Sequence, residues 1–382
     1  MSGFFVAPRI AWGTGAIEQL SGLGARRALL LVDRSLASAS GPRRIAEELA
    51  KSDATIETVT DVGEPETLAG VRILAERIRQ QAPDWVVAVG GGRTIDGAKA
   101  ARLAAERPDA DLASFTPMAD VTEPPRIRLA AIPSTSGSGA EASWAADLFA
   151  DDGSPIELAH RALVPDWALI DPALARGLPV DERVDGGFET LALAAEAYVS
   201  AWSNPFSDAL AGAAAATVVE RLPHAVRWSD DPDALEALHF AATLGGLAAS
   251  NAQRGLAHAL ARALVRPTGL RYGRLLGIAL PYVLDFDQPG ARDRLERLAD
   301  RVRAHDDRTE TTLAERARRL ADQVRLPLTV REAGGDLERA RASLERVVAE
   351  TRRAPASLGN PRVPTAAEVA DLARAILGEG PG

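Results

Sequence analysis

Hydrophobic positions follow two different patterns along the chain. In the first half they come as short unbroken runs: ALLLVD at residues 28–33, WVVAV at residues 85–89, and the apolar segment 129–132. A strand with one wet face alternates apolar and polar residues, so runs without alternation point to strands covered on both faces, as in a parallel sheet. Between these runs the spacing predicts a helix over residues 43–51, a second behind the glycine triplet Gly90-Gly91-Gly92, and a helical stretch over residues 141–148. Repeated strand–loop–helix units predict an α/β domain whose ligands sit at the carboxyl ends of its strands.

After Asp171-Pro172 the texture changes. Alanine- and leucine-rich stretches at helical spacing run over residues 189–222 and 234–265, and from residue 291 through the C-terminal third. Few β-branched runs interrupt them, so an all-α domain is expected. Pro172 and Pro179 mark the change of pattern, giving an N-terminal α/β domain over residues 1–176 and a helical domain over residues 177–382. The length agrees: 382 residues exceed the roughly 250–300 at which one core stops growing.

Composition narrows the partners. A formal net charge of −9 disfavours nucleic acid and anionic membranes, and points to a small-molecule or peptide substrate. With no cysteine in the chain, disulfides and thiolate metal sites are excluded. The N-terminal residues show no basic segment followed by a long apolar run, and no uncharged apolar stretch of about 18 residues occurs, so cytoplasmic residence is expected. Lys51 and Lys99 are the only lysines among 44 basic residues, which draws attention to Lys99 beside the glycine triplet.

Two loops carry candidate chemistry. Gly90, Gly91 and Gly92 stand at a strand-to-helix turn, where backbone can approach a pyrophosphate and free helix N–H groups attract it; Arg93, Asp96 and Lys99 follow on the helix. The segment 133–141 (PSTSGSGAE) offers the hydroxyls of Ser134, Thr135 and Ser138 behind another strand. Asp33, ending the ALLLVD run, either accepts from an adenosine ribose, favouring NAD over NADP, or caps the following turn.

Together these segments resemble the iron-containing alcohol dehydrogenase family. The matching blocks are GTGAIEQL at 13–20, VVAVGGGRTIDGAKA at 86–100, AIPSTSGSGAE at 131–141, LVPDWALIDPAL at 163–174, EAYVSAWSNPFSDALA at 196–211, GLAHALA at 255–261 and LPYVLDF at 280–286. The resemblance implies the dehydroquinate synthase-like fold, with an α/β domain that binds NAD, an all-α domain, an active site in the cleft between them, and a homodimer.

The resemblance also exposes departures. Arg93 stands where the family has serine. Of the family's iron or zinc ligands, the positions for the aspartate and the histidine one turn later hold Glu189 and Leu193; the third is His258, the fourth holds Tyr272, and Arg262 replaces a further active-site histidine. Leucine cannot coordinate, and a divalent site needs about three protein ligands, so the expectation is an oxidoreductase working without metal.

Tyr272 or His258 then carries the proton, with Arg271, Arg274 and Arg262 near Tyr272, and Arg262 takes a substrate carboxylate. A β-hydroxy acid, or a hydroxy-peptide that then decarboxylates, suits such a site. The alternatives are an altered pseudoenzyme or partner subunit, and a non-redox lyase or cyclase; intact glycine loops beside an altered metal site favour the oxidoreductase.

Overall fold

The structure, a computed structural model, describes residues 5–60, 63–112, 115, 125–302 and 311–379. It divides into two compact units, Met1–Thr135 with Gly139–Gly177, and Ser136–Ser138 with Leu178–Gly382.

Among the described residues the first unit carries strands β1 (Arg9–Trp12), β2 (Arg27–Val32), β3 (Thr55–Val59), β4 (Trp85–Gly90), β5 (Arg128–Pro133), β6 (Ala145–Phe149), β7 (Pro155–Ala159) and β8 (Trp167–Ile170). All but β6 and β7 form one parallel sheet in the order β1-β8-β5-β4-β2-β3. The unbroken apolar runs have the double coverage they imply. Leu29, Leu31, Val86 and Ala88 face helices α2 (Leu68–Gln81) and α3 (Gly92–Glu106), while Leu30, Val32, Val87 and Val89 face α1 (Ser40–Ala50). Alternate side chains of one strand thus feed two cores, each fully buried Leu or Val stabilising by about 1.5–3 kcal/mol.

Residues 141–148 are not helical. A 3-10 turn over Ala140–Ala142 leads into β6, which pairs antiparallel with β7. Alanines give this segment helical propensity, but pairing and two side chains override it: Asp96 accepts from the Asp147 N–H at 3.1 Å, and Lys99 donates to the Ala145 carbonyl at 2.8 Å.

In the second unit the described residues form α4 (Val180–Val199), α5 (Pro205–Arg227), α6 (Pro232–Ala252), α7 (Leu256–Thr268), α8 (Tyr272–Arg301), α9 (Leu313–Val324), α10 (Leu337–Ala342), α11 (Leu344–Arg353) and α12 (Ala366–Leu377). Helix α4 is buried along nearly its whole length and packs against α5, α6 and α8. The stretches 189–222 and 234–265, each continuous in hydrophobic period, are broken into helix pairs. Asn204 caps α5 through a capping box with Ser207, and Pro205 follows at its first position. Gln253, at φ 75°, turns the chain between α6 and α7. Helix α8 is kinked at Ala291, two residues after Pro289.

Candidate active site

The glycine triplet, the start of the 133–141 loop and Asp33 converge at one end of the parallel sheet. Val32 pairs with Val89 and Gly90 with Pro133; the Asp33 N–H donates to the Val89 carbonyl and the Ser134 N–H to the Gly90 carbonyl. Asp33, the glycine triplet and Ser134 are therefore neighbours. The chain passes from β2 outward to β3, then returns to β4 on the other side of β2, so strand order reverses between β2 and β4. Dinucleotides bind at such switch points.

Local packing explains the glycines. A Cβ on Gly90 would fall 2.7 Å from the Thr94 Cβ and 2.9 Å from the Asp33 Cβ; one on Gly91 would lie 3.2 Å from the Thr135 Cγ2. Gly91 caps α3 without a side-chain hydrogen bond, leaving the first turn's N–H groups for other acceptors. Asp33 caps the next turn: its Oδ1 accepts from the Ser35 N–H (2.9 Å) and Oγ (2.7 Å), and its Oδ2 accepts from the Thr94 hydroxyl (2.8 Å). Burial pushes this carboxyl's pKa up, but the hydrogen bonds from Ser35 and Thr94 and the charge of Arg93 outweigh it, so the net shift is downward. A carboxylate has about four acceptor positions, so capping leaves one for a ligand hydroxyl.

Other predicted cofactor residues are engaged differently. Arg93 is largely exposed and pairs at 3.0 Å with the buried Glu66, whose other oxygen has no hydrogen-bond partner among the described residues. Lys99 is fully buried and donates to Ser143 (3.0 Å), the Ala145 carbonyl (2.8 Å) and Asp96 (3.3 Å). Its ammonium ties α3 to β6, which corrects the expectation of a direct contact with the cofactor: an enclosed ammonium with three partners reaches no phosphate. Asp96 likewise serves Lys99 and Asp147. Burial lowers the pKa of Lys99 and raises that of Asp96.

In the second unit the structure brings His258, Arg262 and Tyr272 together. The His258 and Tyr272 rings meet edge-on with centroids 6.2 Å apart, and the Arg262 guanidinium carbon lies 5.6 Å from the Tyr272 ring centroid. Arg271 and Arg274, expected beside Tyr272, instead both hold Asp185 on α4. Glu189 is brought to the loop containing Ser136–Ser138, its Oε2 lying 2.8 Å from where a Gly137 Cβ would stand, and the Thr190 hydroxyl donates to the Gly137 carbonyl at 3.2 Å.

The donor set does not fit a divalent metal. Leu193, one turn after Glu189, is core, 4% exposed. The Nδ1 of His258 is engaged by Glu196, so this residue has only Nε2 to offer a metal, and the leucine leaves it no histidine partner on α4. Among the described residues no three His, Asp or Glu side chains group so as to hold a metal ion.

Three polar residues of the second unit escape sequence reading. His239, on α6, is buried, with Nδ1 3.0 Å from the Ser136 hydroxyl and, among the described residues, no hydrogen-bond partner for Nε2; burial pulls its pKa down to about 4. A lone histidine on an apolar helix gives no such signal. Asp287 accepts from Asn360 Nδ2 at 2.7 Å, and burial, reinforced by Glu196, pushes its carboxyl up to about 8. Glu196 opens one of the blocks carrying the family resemblance, and that was a usable signal.

The sequence model described as "Iron-containing alcohol dehydrogenase" matches residues 7–172, and that described as "Fe-containing alcohol dehydrogenase family, C-terminal" matches residues 183–377. A probable alcohol dehydrogenase, EutG, of Salmonella typhimurium is 31% identical, over 97% of this chain and 93% of its own. An NADPH-dependent butanol dehydrogenase of Clostridium saccharobutylicum is 30% identical, over 86% of each. The solved structure of the iron-containing alcohol dehydrogenase of Thermococcus thioreducens superposes with a TM-score of 0.88 at 28% identity, covering 98% of this chain and all of that one.

Proposed function

Because the chain belongs to the iron-containing alcohol dehydrogenase family, we propose that it is an NAD(H)-dependent oxidoreductase that interconverts a hydroxyl and a carbonyl without a catalytic metal. One observation carries the second half of this reading: where a metal would need a second donor one turn after Glu189, Leu193 is apolar core. Supporting the first half, the glycine triplet, the free first turn of α3 and Asp33 meet at the strand-order reversal. A relative named for NADPH shows that the family is not uniform; the Asp33 carboxylate, which repels a 2′-phosphate, is the reason for assigning NAD here.

Without a metal, the substrate oxygen needs a protein donor. Tyr272 and His258 are the candidates for the proton carrier, with Arg262 beside the Tyr272 ring to hold a carboxylate bidentately. A carboxylate-bearing alcohol fits this arrangement. Oxidising a β-hydroxy acid, or the C-terminal hydroxy residue of a peptide, gives a β-keto acid that loses CO₂ unaided. Cytoplasmic residence and a place in specialised metabolism belong to the same proposal, as does a homodimer, which rests on the family resemblance alone.

The test is mass spectrometry of products from β-hydroxy acids and hydroxy-terminal peptides incubated with NAD⁺, followed by variants. Tyr272→Phe deletes a hydroxyl and keeps the ring; if Tyr272 carries the proton, turnover falls by roughly 10²–10⁴ with NAD(H) affinity unchanged. A larger loss in His258→Gln moves the role to His258. Near wild-type turnover in both variants removes both assignments.

A further inference from the structure

Glu196, on α4, has a side chain only 2% exposed, and its carboxylate meets three nitrogens of residues 255–258. Its oxygens accept from the Gly255 N–H at 2.9 Å and the Ala257 N–H at 2.5 Å, and its Oε2 also meets the Nδ1 of His258. Gly255 begins α7 with no capping side chain of its own, and a Cβ there would fall 2.9 Å from both Glu196 Oε1 and Asn360 Oδ1. Asn360 completes the cap by accepting from the Leu256 N–H at 3.0 Å. Two distant side chains thus satisfy three successive backbone donors, and His258 rides on the turn they anchor.

We propose that Glu196 is a positioning residue that holds His258 in the Nδ1–H tautomer, so that Nε2 presents a lone pair to receive the substrate's proton. This rests on the proposed dehydrogenase reading. The argument is one of donors and acceptors. A backbone N–H cannot reverse, and a carboxylate offers only lone pairs, so the third contact is satisfied when the hydrogen sits on Nδ1. Nε2 is then the only acceptor on the ring.

In the oxidation direction the substrate carbon loses a hydride to NAD⁺ and its hydroxyl loses a proton to Nε2, directly or through the Tyr272 hydroxyl. One alcohol and one NAD⁺ become one carbonyl, one NADH and one proton. The imidazolium formed lies against the Glu196 carboxylate, the arrangement by which a buried acid orients and stabilises a histidine base in hydrolases.

The experiment is ¹⁵N NMR of the full-length protein labelled at its five histidines, with His258 assigned through His258→Gln. Wild type near pH 8 is expected to show a protonated Nδ1 and an unprotonated Nε2; an Nε2–H form overturns the proposal without any variant. Glu196→Gln keeps the shape, but one oxygen cannot serve Ala257, Gly255 and His258 together. It is expected to populate the Nε2–H form and to lower turnover on the order of 10²-fold or more, with NAD(H) affinity within about twofold. Retention of Nδ1–H in this variant, or unchanged turnover with a switched tautomer, overturns the proposal. Unimpaired turnover in His258→Gln sinks the dehydrogenase role of His258 instead, and the wild-type spectrum tells the two failures apart.

Discussion

At the scale of single residues, small geometric facts separate roles that the sequence leaves open. Asp33 stood between ribose acceptor and turn cap; it is a cap, with hydrogen bonds from Ser35 and Thr94, and one acceptor position left over. Replacing it therefore has two expected effects. Asp33→Gly loses the cap side chain, at only about a few tenths of a kcal/mol of stability because glycine is itself tolerated at a cap, and raises the preference for NADP(H) relative to NAD(H) on the order of tenfold, or about 1.4 kcal/mol. Isothermal titration with both nucleotides measures it, and equal affinities in the wild type would remove the nucleotide role while leaving the cap. Lys99 carries the opposite lesson. Its rarity and its place behind the triplet suggested a phosphate contact, but a fully buried ammonium finds its partners in Ser143, Ala145 and Asp96.

At the scale of elements, hydrophobic period was legible and its interruptions were less so. Runs such as ALLLVD and WVVAV mark β2 and β4 because double burial excludes polar residues from them. Short strands such as β1 and β3 carry mixed burial and left no clear pattern. Segment 141–148 misled because alanine propensity says nothing of a partner strand that arrives ten residues later. The breaks within 189–222 and 234–265 were written in Asn204-Pro205 and in the 253–255 turn, but apolar spacing runs across both. The candidate site was legible where it matched the family's blocks, Glu196 among them by position; the pairing of Glu196 with His258, and the burial of His239 and Asp287, were not, because burial and pairing exist only in three dimensions.

Helix α4 offers an element-scale test. Glu189 and Leu193 are spaced one turn apart on one face, so Glu189→Asp, Leu193→His and Tyr272→His together restore the family's donor types beside His258. Calorimetry with Zn²⁺ is expected to show about one tight site per chain in the triple variant and none in wild type. Absence of binding by the folded variant breaks the residue correspondence.

For the whole molecule, the buried titratable groups shape stability against pH. His239 has its folded pKa depressed to about 4, so its contribution is complete above its unfolded value near 6.5 and is lost as pH falls. Asp287 has its folded pKa raised to about 8 from 3.8, so its contribution is complete at low pH and is lost as pH rises toward 8. Between about pH 4 and 6.5 the two slopes oppose; from about 6.5 to 8 that of Asp287 stands alone, at up to about 1.4 kcal/mol per pH unit. The melting temperature is therefore expected to fall between pH 6.5 and 8, and Asp287→Asn, which keeps the oxygen that Asn360 meets, should flatten that fall. An equal fall in the variant assigns it to another group.

The central claim is that a fold shared with iron-containing enzymes works here without a metal, and its most direct measurement is elemental analysis of protein purified without chelators. The account predicts well under one equivalent of iron or zinc per chain, since Leu193 and Tyr272 stand where ligands are needed. One tightly held metal per chain, with turnover lost on its removal and regained on its return, would contradict it.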